Sequence, residues 1–383
     1  MERTAEGHVP HLLYREESLK GGAALHDYGE RKIFMPSSQD PRLEDRKIDN
    51  DDVKEIQPEI HIVTDTVFYR LFGSKQSEII TYFGAVLNSV NLRYDTIEDP
   101  RVTVKITGFT FNDIVEEEKY IATFGRYGEE FQKYVDMKTT LDNFRDTYRT
   151  KQSTLFAKVD VFVLVTGKDM CSLRGNLLSC TVVGQAYVAG ACTKYRAVII
   201  EDKPRLYHSV RNMAHELAHS FGCVHDGNGP DNDVEKHPGA QECLWSDGYI
   251  MSYIQNSTKE YRFSSCCARQ IKHVASLKAH TCLHVNNTER ERATTQYLPG
   301  TSMTLNRFCK ASFADRPRDY YFDTKEPYVD CKVPCRSANY RDNTGLVYSV
   351  GKASAIDGIP CKGQDMVCIR GECVPDPSKT KTK

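Results

Sequence analysis

His215-Glu216-Leu217-Ala218-His219-Ser220-Phe221-Gly222-Cys223-Val224-His225-Asp226 decides how the rest of this chain is read. Its form is H-E-x-x-H-x-x-G-x-x-H-D. His215 and His219 stand four apart, so on a helix both imidazoles leave one face, a turn from each other. Glu216 projects beside them and can reach a metal-bound water without being a ligand. Gly222 lets the chain leave the helix in a conformation that other residues resist. That turn brings His225 back to the same point. Three imidazoles with one open position make a catalytic zinc site, not a closed structural one. A bare H-E-x-x-H also arises by chance on solvated helices; Gly222, His225 and Asp226 at fixed offsets argue against that here.

Downstream, Gly248-Tyr249-Ile250-Met251-Ser252-Tyr253 sets a methionine in a tight turn. The long histidine motif followed by such a turn resembles the metzincin peptidases. The resemblance makes Met251 an apolar floor beneath the metal that does not ligate it.

The 383 residues suffice for two or three domains and a sizeable core. A formal charge of −1 gives no electrostatic case for nucleic acid or a membrane surface. No apolar run approaches the roughly 20 residues that span a bilayer. Met1 to Asn50 is polar, without the apolar centre of a signal peptide. The cysteines point the other way. None of the fourteen precedes Cys171; eight lie between Cys171 and Cys282 and six between Cys309 and Cys373. Even counts favour disulfides that close within each block, and no paired C-x-x-C units at finger spacing offer a zinc-thiolate alternative. Asn256-Ser257-Thr258 and Asn286-Asn287-Thr288 are glycosylation acceptors at Asn256 and Asn286. The protein is therefore expected to be secreted and extracellular, with its true N-terminus upstream of Met1.

Residues 1–56 are charged and poorly periodic and read as a propeptide remnant and linker. They hold no cysteine, so they cannot block a zinc through a thiolate. From Glu59 the texture changes. Glu59–Asp65 alternates like a strand, Val102–Phe111 reads as a second, and the near-continuous apolar run Val159–Val165 suits a strand buried on both faces. Val182–Val188 and Ala197–Glu201 add two more, while helical spacing marks Ser74–Leu92, Tyr127–Tyr148, Ser209–Phe221 and Ser264–Leu277. Strands alternating with helices predict an α/β sandwich over residues 57–286: a mixed, mostly parallel sheet with flanking helices and an active-site cleft. Residues 297–377 are loop-rich, with glycine, proline and cysteine, and should form a small block held by disulfides. Residues 378–383 should be a frayed tail.

Glu59 to about Val285 resembles the adamalysin, or reprolysin, branch of the metzincins. That branch includes snake-venom metalloproteases and the catalytic domains of ADAM and ADAMTS proteins. The likeness rests on Tyr69-Arg70-Leu71-Phe72, on Asp160 through Gly167, on Val198-Ile199-Ile200-Glu201-Asp202, on the histidine motif, and on Phe263-Ser264-Ser265-Cys266-Cys267. Leu298-Pro299-Gly300, Asp357-Gly358-Ile359-Pro360-Cys361 and Val367 through Val374 resemble the disintegrin-like and cysteine-rich parts of ADAMTS proteins. Cys223, Ser246-Asp247-Gly248 and Cys266-Cys267 are most similar to the secreted salivary metalloproteases of blood-feeding ticks.

The motif and the resemblance together imply a zinc endopeptidase with one Zn²⁺ on His215, His219 and His225. Glu216 would be the general base, and Asp226 would orient the turn from outside the ligand set. Gln185-Ala186-Tyr187-Val188 would be the sheet edge along which a substrate docks as an added strand. The family pattern implies Cys192–Cys282, with Cys171–Cys180 as a local loop. Cys243 would pair with Cys266 or Cys267 and Cys223 with the other, the working assignment being Cys243–Cys266 and Cys223–Cys267. Ala218 and Ser220 stand where the family has Gly and Asn; both are small, so no loss of function is expected. Some venom members bind Ca²⁺ through two acids and an asparagine. Glu59 and Asp160 match the acids, but the third position is Val285, with Asn286 one further on, and two acids alone do not make a calcium site. Tyr253 has the spacing at which astacins, another metzincin branch, bring a tyrosine to the zinc; packing in the wall of the specificity pocket is the expectation preferred for it. The tick likeness implies extended segments of extracellular host proteins as partners, such as fibrinogen, fibrin, gelatin and fibronectin, for a monomer whose cysteine-rich block docks them. The rival reading is an adhesion or integrin-binding antagonist acting through that block, against which stands its lack of Arg-Gly-Asp.

Overall fold

The computed structural model describes residues 10–14, 49–125, 133–150, 158–174, 177–203, 207–287, 297–314, 316–328, 331–342, 345–362 and 365–379. Six strands make the main sheet: β1 Pro10–Tyr14, β2 Glu59–Thr64, β3 Lys105–Phe111, β4 Val161–Thr166, β5 Val182–Tyr187 and β6 Ala197–Glu201. Their order across the sheet is β1-β5-β6-β4-β2-β3. β6, β4, β2 and β3 run parallel, while β5 is antiparallel to β6 and pairs antiparallel with β1. Parallel strands must be covered on both faces, which is why Val161–Val165 of β4 and Ala197–Ile200 of β6 are unbroken apolar runs.

Four helices supply that cover: α1 Gln76–Tyr94, α2 Met137–Thr150, α3 Ser209–Ser220 and α4 Ser265–Ser276. Successive residues of β4 face opposite ways. Val163 and Val165 join Phe83, Val86, Leu217 and Phe221 in one core layer. Phe162 and Leu164 join Leu141, Phe144 and Tyr148 of α2 in the other. Each fully buried aliphatic or aromatic side chain here contributes roughly 1.5–3 kcal/mol.

Two elements differ from their sequence reading. α2 starts at Met137, not Tyr127, because Val135–Asp136 pairs as a short strand with Met170–Cys171; residues 126–132 lie outside the described set. The Val102–Phe111 strand is two pieces, the first of which, Arg101–Val102, pairs with Glu55–Ile56. Val53 and Ile56, in the stretch read as linker, are buried in the main core. Among the described residues no helix is long and apolar enough to cross a membrane.

The C-terminal block is more regular than its loop-rich sequence suggests. β7 Tyr320–Phe322, β8 Lys332–Ser337 and β9 Val350–Ser354 form a small sheet with β8 central, β10 Met366–Ile369 and β11 Glu372–Pro375 form a hairpin, and α5 Leu305–Ser312 packs on β7 and β8. Phe308, Val333 and Ile359 pack around Cys309, Cys331, Cys335 and Cys368. The disulfides are Cys309–Cys335, Cys331–Cys368 and Cys361–Cys373.

Candidate active site

α3 is docked at both ends. At its start, the Ser209 N–H donates to Asp202 Oδ1 at 3.3 Å and the Tyr82 hydroxyl donates to Oδ2 at 2.7 Å. Burial raises the Asp202 carboxyl to about 7. At its end, the Gly222 N–H donates to His219 O and the Cys223 N–H to Ala218 O, both at 2.9 Å. Gly222 has φ +113°, and a Cβ there would fall 3.0 Å from Val274 Cβ, so conformation and space both demand glycine.

The turn beyond is held from several sides. Cys223 is bonded to Cys267, and the Val224 N–H donates to Gln270 Oε1 at 2.9 Å. His237 donates from Nε2 to Gly222 O at 2.7 Å. The Asp226 N–H donates to Met251 O at 3.0 Å, while Asp226 Oδ1 accepts from the Ser264 hydroxyl at 2.6 Å. Burial, partly offset by that hydroxyl, raises the Asp226 carboxyl to about 6. The Met251 side chain is buried in the main core.

The result is convergence. His215 Nε2 lies 3.1 Å from His219 Nε2 and 3.2 Å from His225 Nε2. His215 Nδ1 is 2.8 Å from Ile250 O and His219 Nδ1 is 2.6 Å from Cys223 O. A carbonyl can only accept, so each Nδ1 carries the proton and each Nε2 presents a lone pair. Facing lone pairs at this distance repel; a cation between them turns repulsion into attraction. Imidazoles bound about 2.0–2.1 Å from a tetrahedral zinc stand roughly 3.3 Å apart, so the donor set fits. Among the described residues the other candidate clusters of three are built on disulfide-bonded cysteines.

Beside the histidines, Glu216 is fully buried and neither carboxylate oxygen has a partner. Burial pushes its carboxyl well above the usual range. Such a group is costly unless it has a task. The space it occupies belongs to Gly184 of β5: a Cβ on Gly184 would fall 2.7 Å from Glu216 Cγ and closer still to the carboxylate. The Tyr253 phenol oxygen is 3.3 Å from His225 Nε2, while its ring lies edge-on to Trp245 with centroids 4.7 Å apart. It therefore packs against Trp245 and also reaches His225 Nε2.

The other candidates are placed as follows. Asp160 Oδ2 accepts from the Glu59 N–H at 2.8 Å, and both Glu59 oxygens accept from the Asn287 N–H at 3.1 Å. Both acids are thus engaged with backbone amides. Cys171 is bonded to Cys180, Cys192 to Cys282 and Cys243 to Cys266. Asn256 and Asn286 are exposed. The sequence reading missed Gly184, Arg211 and His237. For Gly184 a signal existed, since a lone glycine inside a strand marks close approach of another group; for the other two there was none.

The profile of metallo-peptidase family M12 matches residues 56–264, more than half of the chain. The chain belongs to metallo-peptidase family M12. It is 30% identical over 328 residues to a "disintegrin and metalloproteinase with thrombospondin motifs like" protein of Bombyx mori, covering 83% of this chain and 44% of that one. It is 30% identical over 230 residues to an antarease-like venom metalloproteinase of Tityus trivittatus, covering 59% of this chain and 57% of that one. The chain thus spans about half the length of these relatives. Among solved structures, archaemetzincin from Methanopyrus kandleri aligns with 58% of this chain and 97% of its own at 17% identity, with a TM-score of 0.32. Within family M12, His215, His219 and His225 are the residues of this chain that could hold the metal.

Proposed function

We propose that this chain is a secreted, zinc-dependent metalloendopeptidase acting on extracellular proteins. The observation that carries the reading is the meeting of lone-pair-bearing imidazoles with a buried, unpartnered carboxylate. A zinc on His215, His219 and His225 would bring the pKa of a bound water toward neutrality and polarise a peptide carbonyl. Glu216 takes the proton of the attacking water and returns it to the leaving amine. Asp226 holds the His225 turn to Met251 and Ser264, so the third imidazole keeps its aim. Residues 57–286 are the catalytic domain and 297–377 an accessory block.

An extended substrate would lie along β5 as an added strand. Pro10–Tyr14 supports this, because it pairs antiparallel on that edge, with Leu13 opposite Gly184 and Leu12 opposite Gln185. The edge accepts an extended chain beside Glu216, and a substrate has to displace the one already there. The likeness to tick salivary enzymes extends the reading to fibrinogen, fibrin, gelatin and fibronectin. Digestion of casein and gelatin tests the chemistry. Chelator should abolish cleavage, and Glu216→Ala should keep its zinc by elemental analysis while losing about 10²–10⁴-fold in rate. Hydrolysis that survives in Glu216→Ala, or after the metal is removed, overturns the reading.

A further inference from the structure

A fixed interface joins the two halves of the chain, and it falls on the segment behind the methionine turn. Thr258–Tyr261 is a short 3-10 turn followed by Arg262. The segment meets the C-terminal block through named polar contacts and through Tyr261 and Thr258 packed beside Gly371. Lys332 Nζ stands 3.4 Å from the Glu260 carboxylate. The Tyr261 hydroxyl donates to Ala355 O at 3.4 Å, and Arg93 lies over the Tyr261 ring at 4.8 Å. Arg93 also forms a buried pair with Asp357 at 2.7 Å, and Arg262 pairs with Glu372 at 2.8 Å.

From its other side the same segment is tied to the candidate metal centre. Arg211 sits on α3 one turn before His215. It donates from Nη1 to Glu260 O at 3.0 Å, and from Nη2 to Ser252 O at 2.7 Å and Ile250 O at 3.4 Å. Ile250 O is also the acceptor that orients His215 Nδ1 at 2.8 Å, and the Ile250 N–H donates to Arg262 O at 2.9 Å. A planar guanidinium has donors in fixed directions, so it holds these carbonyls in one mutual geometry. Any displacement of the Glu260–Arg262 backbone is therefore felt at Ile250, and through Ile250 at a ligand imidazole.

We propose that the C-terminal block positions the metal centre. Lys332 and the Arg93–Asp357 pair hold Thr258–Arg262 in place, and Arg211 passes that placement to the Ile250–Ser252 floor and to His215. Arg211 and Glu260 are positioning residues: they act through Ile250 and not on substrate. This differs from a block that only docks large substrates, because its contacts bear on the turnover of every substrate, short peptides included. Glu260 supplies the lever. It is 5% exposed, and its Oε2 has no other partner. Removing the lysine leaves a buried carboxylate without its cation, and the turn that carries it has to shift toward water.

The test uses the full-length chain with Lys332→Met, Arg211→Lys and the double variant Glu260→Gln/Lys332→Met. Three quantities are read: amide hydrogen exchange at Ile250–Ser252 in metal-free protein, kcat and KM on a peptide short enough to fill only the cleft, and the rate of metal loss to a chelator. Lys332→Met should speed exchange at Ile250 while core amides of Val161–Thr166 stay protected. It should lower kcat about 2- to 30-fold with KM little changed, and should hasten metal loss. The double variant should recover most of this, since no buried charge remains. Arg211→Lys keeps the charge but loses the fork, so it should act like Lys332→Met and not add to it. Wild-type exchange, kcat and metal loss in a Lys332→Met protein with a merely lower Tm would overturn the proposal. So would a loss confined to large protein substrates. The exchange measurement needs neither metal nor substrate, so its outcome is independent of the substrate class.

Discussion

Residues 59–285 and 297–377 hold themselves together by different means. The first builds two core layers on a sheet whose central strand, Val161–Thr166, is buried along its whole length. Of its disulfides, Cys223–Cys267 is embedded in one core layer, while the others close a hairpin and tie loops and α4 at its margins, so cysteines are a small part of an otherwise aliphatic and aromatic core. The second has strands of three to six residues, and cysteines occupy core positions beside Phe308, Val333 and Ile359. A block of this size rarely gets enough stability from a single apolar core. Close packing governs the first region and covalent closure the second, so the two should fail differently.

The largest break is a methyl group. Gly184→Ala puts a Cβ into the space of Glu216, and β5 cannot retreat without breaking its pairing with β6. Peptide hydrolysis should fall by about 10²-fold or more through misplacement of the base, while the Tm moves little. An alanine variant with wild-type kcat would show that space at this strand is not what sets Glu216.

A second break sharpens the contrast in stability. Cys331→Ala/Cys368→Ala opens a link with a sequence separation of 37 in the C-terminal block. It should cost about 2–5 kcal/mol and unfold that block. Cys171→Ala/Cys180→Ala opens a separation of 9 beside a packed sheet, and by chain entropy should cost about 1 kcal/mol less. Denaturant unfolding followed by circular dichroism compares them; equal or reversed costs would remove the distinction.

The smallest effect is acid. His237 and His280 are both lowered to about 4 by burial, and each donates from Nε2 to a carbonyl, Gly222 O and Ala189 O. Their folded values lie below the unfolded value of about 6.5. The stability they contribute is complete above that pH and is lost as pH falls through about 4. Asp202, raised to about 7 by burial, works with the opposite sign: its contribution is complete below the ordinary carboxylate range and is lost as pH rises through 7. Residues 297–377 contain no histidine. Hydrogen exchange between pH 6.5 and 4 should therefore loosen Gly222 and Ala189 while Val333 and Cys368 keep their protection. Simultaneous loss in both regions would mean that acid acts on the chain as a whole.

How legible each part was follows from the range of the interactions behind it. His215, Glu216, His219, Gly222 and His225 lie on one helix and the turn that ends it, so spacing alone places them. Val161–Thr166 announces itself because burial on both faces demands an unbroken apolar run. The start of α2 was misread because a local pattern cannot show that Val135–Asp136 pairs with Met170–Cys171 instead. The short strands of the C-terminal block were hidden for a related reason: few residues and partial burial leave little periodicity to see.

Periodicity, motif spacing and cysteine parity, all local or additive properties, specified an α/β sheet unit, a histidine triad with an acid beside it and a stapled C-terminal block. Packing decided the rest. Cys266 and Cys267 are neighbours on α4 and leave it about 100° apart, so only the seating of that helix sends Cys266 to Cys243 and Cys267 to Cys223. Gly184 meets Glu216, and Arg211 meets a turn that Lys332 also holds, across separations that local sequence does not encode. Those contacts exist because the sheet and its covering helices first bring distant segments to one place, and only then do individual atoms compete for the same space.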